Sequence, residues 1–471
     1  MTDGTNQTRR TYLMALGAGA AAGLAGCVGG NGNGNGNGNG SGNGGDGGAD
    51  EIDYWLFGGT PQERDFIEDH YDNFDDFDVN YTHQAWGQKF EQVASAAGTD
   101  TLPHLIQGQG ILVPDYDAVG AVQPIDHDRW EDDLEEIYDG LIPEMVEAMQ
   151  YEGRQYGLPG PYADMGPFID INPNMMEEAG FDEPPREWDE LVEYAVEMQQ
   201  LSGVDAGIAL PATDEELTAN NFEGFAYQNG GRYFDPDTLE TTVNGPGFVG
   251  ALELWEELVV EGVLPDGQVE LNYIDAGRMF MAENTGMFVT LSHAPAILAT
   301  IDPPEMFQDA QNQIVTLAPE PSSPDGQFEP VDALIQNAMA WMLADGAQSE
   351  AEQDAALAYM KWWHEMDQLE SWSYQDGTDV GIRGRLPTFE EPWENPSDLF
   401  RQQYDDLIEL QQQGQLFATT EVFPSFPGLA SIQSELIRNA IQPVILGNAT
   451  AQEALDDIAP SVQETIDENL G

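Results

Sequence analysis

The chain has 471 residues, of which 86 are Asp or Glu and 14 are Lys or Arg, giving a formal charge of −72. That balance excludes nucleic acid as a partner, because no basic patch is available to neutralise phosphates. Its one cysteine, Cys27, excludes intramolecular disulfides.

So many carboxylates repel one another in ordinary buffer, whereas a Debye length of about 3 Å at 1 M salt screens that repulsion. An acidic surface built for a cationic partner would cluster its acids. Here they are dispersed through every segment. The composition is read as that of a halophilic protein whose fold depends on salt.

Thr8-Arg9-Arg10-Thr11-Tyr12-Leu13 runs into an apolar, small-residue stretch ending at Leu24-Ala25-Gly26-Cys27. The stretch is shorter than the roughly 20 residues that span a bilayer. Residues 1–27 are read as a twin-arginine export signal closed by a lipobox. The expected location is the extracellular face of the cell membrane, with lipid attached at Cys27. Residues 28–49 are mostly Asn and Gly and cannot build a core. They read as a flexible tether with a mean reach on the order of 25 Å.

The body that follows is long for one domain, so two lobes are expected. Ile52–Phe57 alternates and stops at Gly58-Gly59, a strand meeting a turn, and Thr60-Pro61 opens a helix. Val79–His83 is a second strand, Gly87–Ala97 a helix and His104–Gln107 a third strand. Strands alternating with helices imply an α/β unit with a mostly parallel sheet, in which ligands bind at loops off the strand C-termini. Leu158-Pro159-Gly160-Pro161 breaks the pattern and suits a crossing between lobes. Beyond it, Phe168–Ile171 is a strand and Pro173–Gly180 a short helix closed by glycine. Trp188–Met198 is an amphipathic helix. Phe222–Gln228 and Gly250–Glu261 look helical, Gly286–Leu291 is a strand, and 319–330 is a loop. Ala355–Glu365 and Leu429–Leu446 are helices.

Catalytic motifs are missing. Neither lysine, Lys89 nor Lys361, follows a glycine, so no phosphate-binding Walker loop occurs. His364-Glu365-Met-Asp-Gln368 lacks the second histidine of a zinc-protease helix, and no Gly-x-Ser-x-Gly elbow exists. No Asp series has calcium-loop spacing, and Asp235-Pro-Asp237 reads as a turn. With 86 acids, paired carboxylates of the glycosidase kind remain open.

One set of segments comprises Trp86-Gly-Gln-Lys-Phe90, Ala97-Gly-Thr99, Pro103-His-Leu-Ile106, Val119-Gly-Ala-Val-Gln-Pro-Ile-Asp126 and Gly153-Arg-Gln-Tyr-Gly-Leu-Pro159. It continues with Glu178-Ala-Gly-Phe-Asp-Glu-Pro-Pro185 before Trp188-Asp-Glu-Leu191, Gln228-Asn-Gly-Gly231, Ala251-Leu-Glu-Leu-Trp255, Gly384-Arg-Leu-Pro387 and Asn439-Ala-Ile-Gln442 with Leu446-Gly447. Together these segments resemble family 1 extracellular solute-binding proteins, the receptors of carbohydrate ABC importers, similar to maltose-binding proteins. Each is weak alone; their number and order make the set specific. The resemblance implies a two-lobed α/β fold of the periplasmic-binding-protein type II class. Each lobe would be a mostly parallel sheet flanked by helices, with the ligand cleft at the hinge. Lobe 1 is expected to take 50–160 plus about 335–410, and lobe 2 to take 161–330 plus about 411–471.

By position in the family pattern, the expected ligand-binding residues are Phe57, Trp86, Gln107, Gln109, Tyr162, Asp164, Phe222, Phe225, His293, Arg385 and Phe426. Aromatic rings cover the apolar face of a pyranose, while amides and carboxylates meet its hydroxyls. Two positions depart from the pattern. His293 stands where a stacking Trp is usual, and Gln stands at the third strand end where the family often has Asp. Either the ligand differs from a plain oligosaccharide, or stacking comes from elsewhere. The implied partners are a carbohydrate ligand, the transmembrane subunits of an ABC permease and the membrane through the lipid anchor. The protein is expected to be a monomer without cofactor, metal or catalytic residue. A surface glycoside hydrolase and a non-transport glycan-binding lipoprotein are the alternatives, and the ligand stays open between a sugar and a polyol.

Overall fold

The computed structural model describes residues 51–58, 73–213, 215–292, 314–332, 334–365, 386–396, 398–412 and 425–471, with a few isolated positions between them. The export signal with Cys27, the tether up to residue 48, the helix start expected at Thr60-Pro61, His293 and Arg385 lie outside the described residues. No described helix is long and apolar enough to cross a membrane.

Strand β1 (Glu51–Phe57) alternates as its sequence dictates, with Ile52, Tyr54 and Leu56 on one face. It lies between β2 (Asp78–Gln84) and β3 (Leu105–Gln109), parallel to both. The helix Lys89–Ala97 makes the crossover that parallel strands require. After the short hairpin β4 (Gln150–Tyr151) and β5 (Arg154–Gln155), the long strand β6 (Gly157–Gly166) carries the chain to Pro167. The second sheet contains β7 (Phe168–Ile171), β8 (Ala206–Ala209), β9 (Thr285–Thr290) and β10 (Ile314–Leu317), in the order β10-β7-β9-β8. Strand β11 (Leu334–Leu343) then returns to the first sheet, and β12 (Leu386–Pro387) completes it in the order β12-β6-β11-β3-β1-β2.

Two sheets on separate cores make two lobes. In the first, Tyr54, Trp341, Tyr359 and Trp363 fill one side of the sheet, with Tyr54 stacked on Trp341 at 5.2 Å. Phe57, Ile106, Tyr116 and Met342 fill the other side. The core of the second lobe gathers Phe222, Phe225, Phe248, Trp255 and Ile441, and the C-terminal helix Ala451–Leu470 packs into it.

The structure differs from expectation in two ways. The sheets are not mostly parallel: two of five pairings in the first and one of three in the second run parallel. The reason is the hinge. The chain leaves the first lobe on β6 and re-enters on β11, so these paired neighbours must be antiparallel. The crossing also falls at Gly166-Pro167 rather than at 160/161. Pro159-Gly160-Pro161, read as a break, lies inside β6. A register shift against β11 between Ala338 and Ala340 accommodates the prolines, and on the other side β12 pairs only with Tyr162 and Ala163.

One core residue breaks the apolar rule. Asp170 in β7 sits opposite Phe288 and Val315, is fully buried, and neither carboxylate oxygen meets a hydrogen-bond donor among the described residues. Burial pushes its pKa well above the usual carboxylate range. An unsatisfied buried polar group costs about 1–3 kcal/mol. Because the folded pKa lies above the unfolded one, stability falls as pH rises past about 4, the unfolded value. Asp170→Leu, of matching branched shape, is therefore expected to raise stability by about 2 kcal/mol at pH 7. The gain shrinks toward pH 3, where the unfolded carboxyl is protonated too. Thermal melts at the two pH values check this, and a lower melting temperature for the variant at pH 7 would refute it.

Candidate functional site

Strands β3 and β6, on either side of β11, turn polar side chains to one face of the first sheet. Side chains two apart on a strand share a face. Gln107 and Gln109 therefore project to the same side of β3, at its C-terminal end, and both are buried. On β6, Tyr162 and Asp164 share a face and are 4% and 2% exposed. Gln107 accepts a short hydrogen bond from the Tyr54 hydroxyl, and its Nε2 finds no acceptor among the described residues. Tyr162 packs with Tyr54, Leu158 and Trp341, which puts both pairs on the Trp341 side of the sheet.

The second lobe meets this edge through the helix Glu215–Gln228. Residues 218–231 are all buried, yet they include Thr218, Asn220, Asn221, Glu223, Gln228 and Asn229. A helix buried all round is normally apolar. The exception arises because this helix pins the hinge. A Cβ at Gly224 would stand 2.1 Å from Cδ of Pro167, so glycine alone lets the helix touch the outgoing crossing. One turn later, Gln228 Nε2 donates to the carbonyls of Ala318 and Asp332, both at 3.0 Å, on the returning segment. Asn220 and Asn221 lie one turn before Gly224 on the same helix, and both are buried. Glu223 accepts 2.9 Å from Gln433 Nε2 and a short bond from the Tyr233 hydroxyl, tying the helix to the segment Ile432–Ile437.

Electrostatics link the two lobes here. Tyr273 bonds to Thr290 Oγ1 at 2.5 Å. Burial raises its phenol pKa, and the carboxylates of Asp164 and Asp170 add to the rise. Asp164 of β6 is thus within electrostatic reach of the second lobe. Ser292 closes the junction, its Oγ accepting from Met165 N at 3.0 Å and its N donating to Met165 O at 2.9 Å. Among the described residues, no three His, Cys, Asp or Glu side chains gather into a metal site.

Of the sequence-derived residues, Gln107, Gln109, Tyr162 and Asp164 come together on this face. Phe222, Phe225 and Phe426 do not. Phe222 and Phe225 lie edge-on to Trp255 at 5.6 and 6.4 Å, and Phe426 packs edge-on to Phe234 at 5.8 Å. All three belong to the second lobe's core, because their phase on the chain turns them inward. Phe57 is likewise a core residue, packed with Val93 and Ile106 on the opposite sheet face from Gln107. Trp86 is half-buried against Gly58, and Lys89 Nζ covers its ring at 4.3 Å from the centroid. Asn220, Asn221, Glu223 and Gln433 escaped the sequence reading. The signal for the first three was a polar-rich stretch, Thr218-Ala-Asn-Asn-Phe-Glu-Gly, inside a helix next to a core run.

Two α/β lobes hinged on paired antiparallel strands, with buried amides and carboxylates along the hinge, define a solute-binding protein of the two-lobed class. A profile described as bacterial extracellular solute-binding protein matches residues 65–389, and the chain belongs to that family. A binding protein of Brucella abortus (strain 2308) is 21% identical over 386 residues, covering 81% of this chain and 84% of its own length. Among solved structures, an ABC transporter solute-binding protein from Thermotoga lettingae TMO, bound with α-D-tagatose, superimposes with a TM-score of 0.69. It is 20% identical and covers 89% of this chain and 100% of its own. Maltose-bound MalE3 of T. maritima gives a TM-score of 0.70 at 18% identity, covering 88% and 99%. A solute-binding protein of Agrobacterium radiobacter K84, in complex with ribitol, gives 0.70 at 18%, covering 88% and 98%.

Proposed function

We propose that this chain is the receptor of an ABC importer, capturing a sugar or polyol between its lobes and delivering it to a membrane permease without chemical turnover. The observation that carries the reading is the buried amide and carboxylate edge at the hinge, above all Gln107 Nε2, a buried donor that no acceptor among the described residues meets. Leaving such a donor unmatched costs about 1–3 kcal/mol, which a ligand hydroxyl oxygen would recover. The tagatose, maltose and ribitol held by the structural neighbours support a polyhydroxylated ligand. Export by the twin-arginine route, lipid on Cys27, a monomeric state and a halophilic setting complete the proposal. The tether of 28–49 gives the two-lobed body reach to a permease while it stays anchored.

Calorimetry in molar salt against D-tagatose, maltose, ribitol and related polyols tests it. Saturable binding at one site per chain is expected, with no product by chromatography. Gln107→Ala is expected to weaken that binding about five- to tenfold, as the loss of roughly one neutral hydrogen bond. Bond cleavage in the added glycan would replace the receptor reading with a hydrolase. Full binding with no stimulation of a reconstituted permease would leave a glycan-binding lipoprotein.

A further inference from the structure

The two lobes touch at a second place, away from the hinge strands. The short helix Val113–Ala118 belongs to the first lobe, where Val113 and Tyr116 enter the core beside Phe57. Its Asp115 is 3% exposed. Oδ1 of that carboxylate accepts from the backbone N of Gly428, 313 residues further along, at 2.9 Å. Gly428 belongs to the second lobe. It starts the helical run of residues 429–445, and its carbonyl accepts from Ser431 N and Ile432 N. Gly428 has φ +90°, and a Cβ there would stand 2.7 Å from Thr465 Cγ2 of the C-terminal helix. The donor is therefore fixed firmly to the second lobe. Apolar contacts flank the bond: Ile111 packs against the cores of both lobes, and Ala430 packs against the first.

The geometry points to Asp115 as a latch that holds the two lobes closed. A carboxylate of one lobe caps the helix N-terminus of the other. Such a bond is charge-assisted, and it also meets the positive end of the helix dipole. Its low exposure keeps salt from screening it as it screens surface pairs. On this reading, a rotation about the hinge strands that parts the lobes breaks this bond and exposes both groups, so the bond favours the arrangement in which the lobes meet. Asp115 is a positioning residue: it sets the balance between open and closed lobes and thereby the rate at which a captured solute escapes. Its role in capture rests on the receptor reading above; its role in closure does not.

Small-angle X-ray scattering of the full chain in molar salt, without any solute, tests the latch apart from that reading. Asp115→Ala is expected to shift the radius of gyration upward. Asp115→Asn, which keeps an acceptor but loses the charge, should fall between it and the unchanged chain. Asp117→Ala is the control, because Asp117 accepts from Tyr156 within the first lobe, and it should scatter as the unchanged chain does. If Asp115→Ala does not fold, Asp115→Asn carries the comparison alone. Scattering curves for the Asp115 variants that superimpose on that of the unchanged chain overturn the assignment, and so does an equal shift in Asp117→Ala.

Discussion

Dialysis from molar salt into 0.1 M buffer at pH 7 is expected to unfold this protein, read as loss of its far-ultraviolet dichroism. The 86 acids face only 14 Lys and Arg. The ion pairs among described residues engage a handful of them: Arg129 with Asp354, Arg154 with Asp126, Arg186 with Glu183, Arg278 with Asp275, and Lys361 with Asp133 and Glu136. These pairs lie at the surface and contribute little each. Arg154 grips Asp126 through two nitrogens and lowers its carboxyl pKa, yet most acids have no such cation. The Debye length lengthens from about 3 Å at 1 M to about 10 Å at 0.1 M, so neighbouring carboxylates begin to repel. Glu320 illustrates the sign. Burial first, then Asp332, push its pKa up to about 7. A carboxyl raised above its unfolded value destabilises the fold as pH rises from about 4 toward that folded value. Low salt at pH 4 should therefore preserve more fold than low salt at pH 7. A dichroism spectrum and melting temperature unchanged by the dialysis would sink the halophilic reading.

Four strands were legible: β1 and β2, and the short runs β3 and β7, the last to the residue, Phe168–Ile171. β1 shows alternating burial, whereas β3 and β7 are buried throughout and are short runs without proline. Strand β6 was not legible, because its prolines argue against a strand and all ten of its residues are buried, which erases the alternation. The hinge position followed from that error. Of the residues nominated from the family pattern, Gln107 and Gln109 stand at the end of β3, because that strand's place in the chain was legible. The phenylalanines were not, since an aromatic ring in a helix faces core or cleft according to phase, and Phe222 and Phe225 both turn toward Trp255. The buried Asn220, Asn221 and Glu223 look like a solvated helix face until tertiary packing covers every side.

Gly224→Ala is expected to destabilise the protein by about 3 kcal/mol or more, against the intrinsic preference of the helix. Inside a helix, Ala is favoured over Gly by about 1 kcal/mol. At Gly224, however, the new Cβ would lie 2.1 Å from Pro167 Cδ, 2.4 Å from Pro167 N and 2.8 Å from the Gly166 carbonyl carbon. Those atoms are backbone and ring, and no side-chain rotation clears them. Either the helix Glu215–Gln228 retreats or the crossing shifts. A retreat strains the bonds of Gln228 to Ala318 and Asp332, which hold the returning segment. Sterics should win over propensity, and the damage should reach the hinge, so solute affinity should fall together with the melting temperature. Gly98→Ala gives the contrast. Gly98 has φ −71°, and its nearest would-be contact is 3.5 Å away, so that variant should be neutral or slightly stabilising. Paired melts in molar salt decide it: a Gly224→Ala protein as stable as Gly98→Ala would mean that the helix does not rest on the crossing.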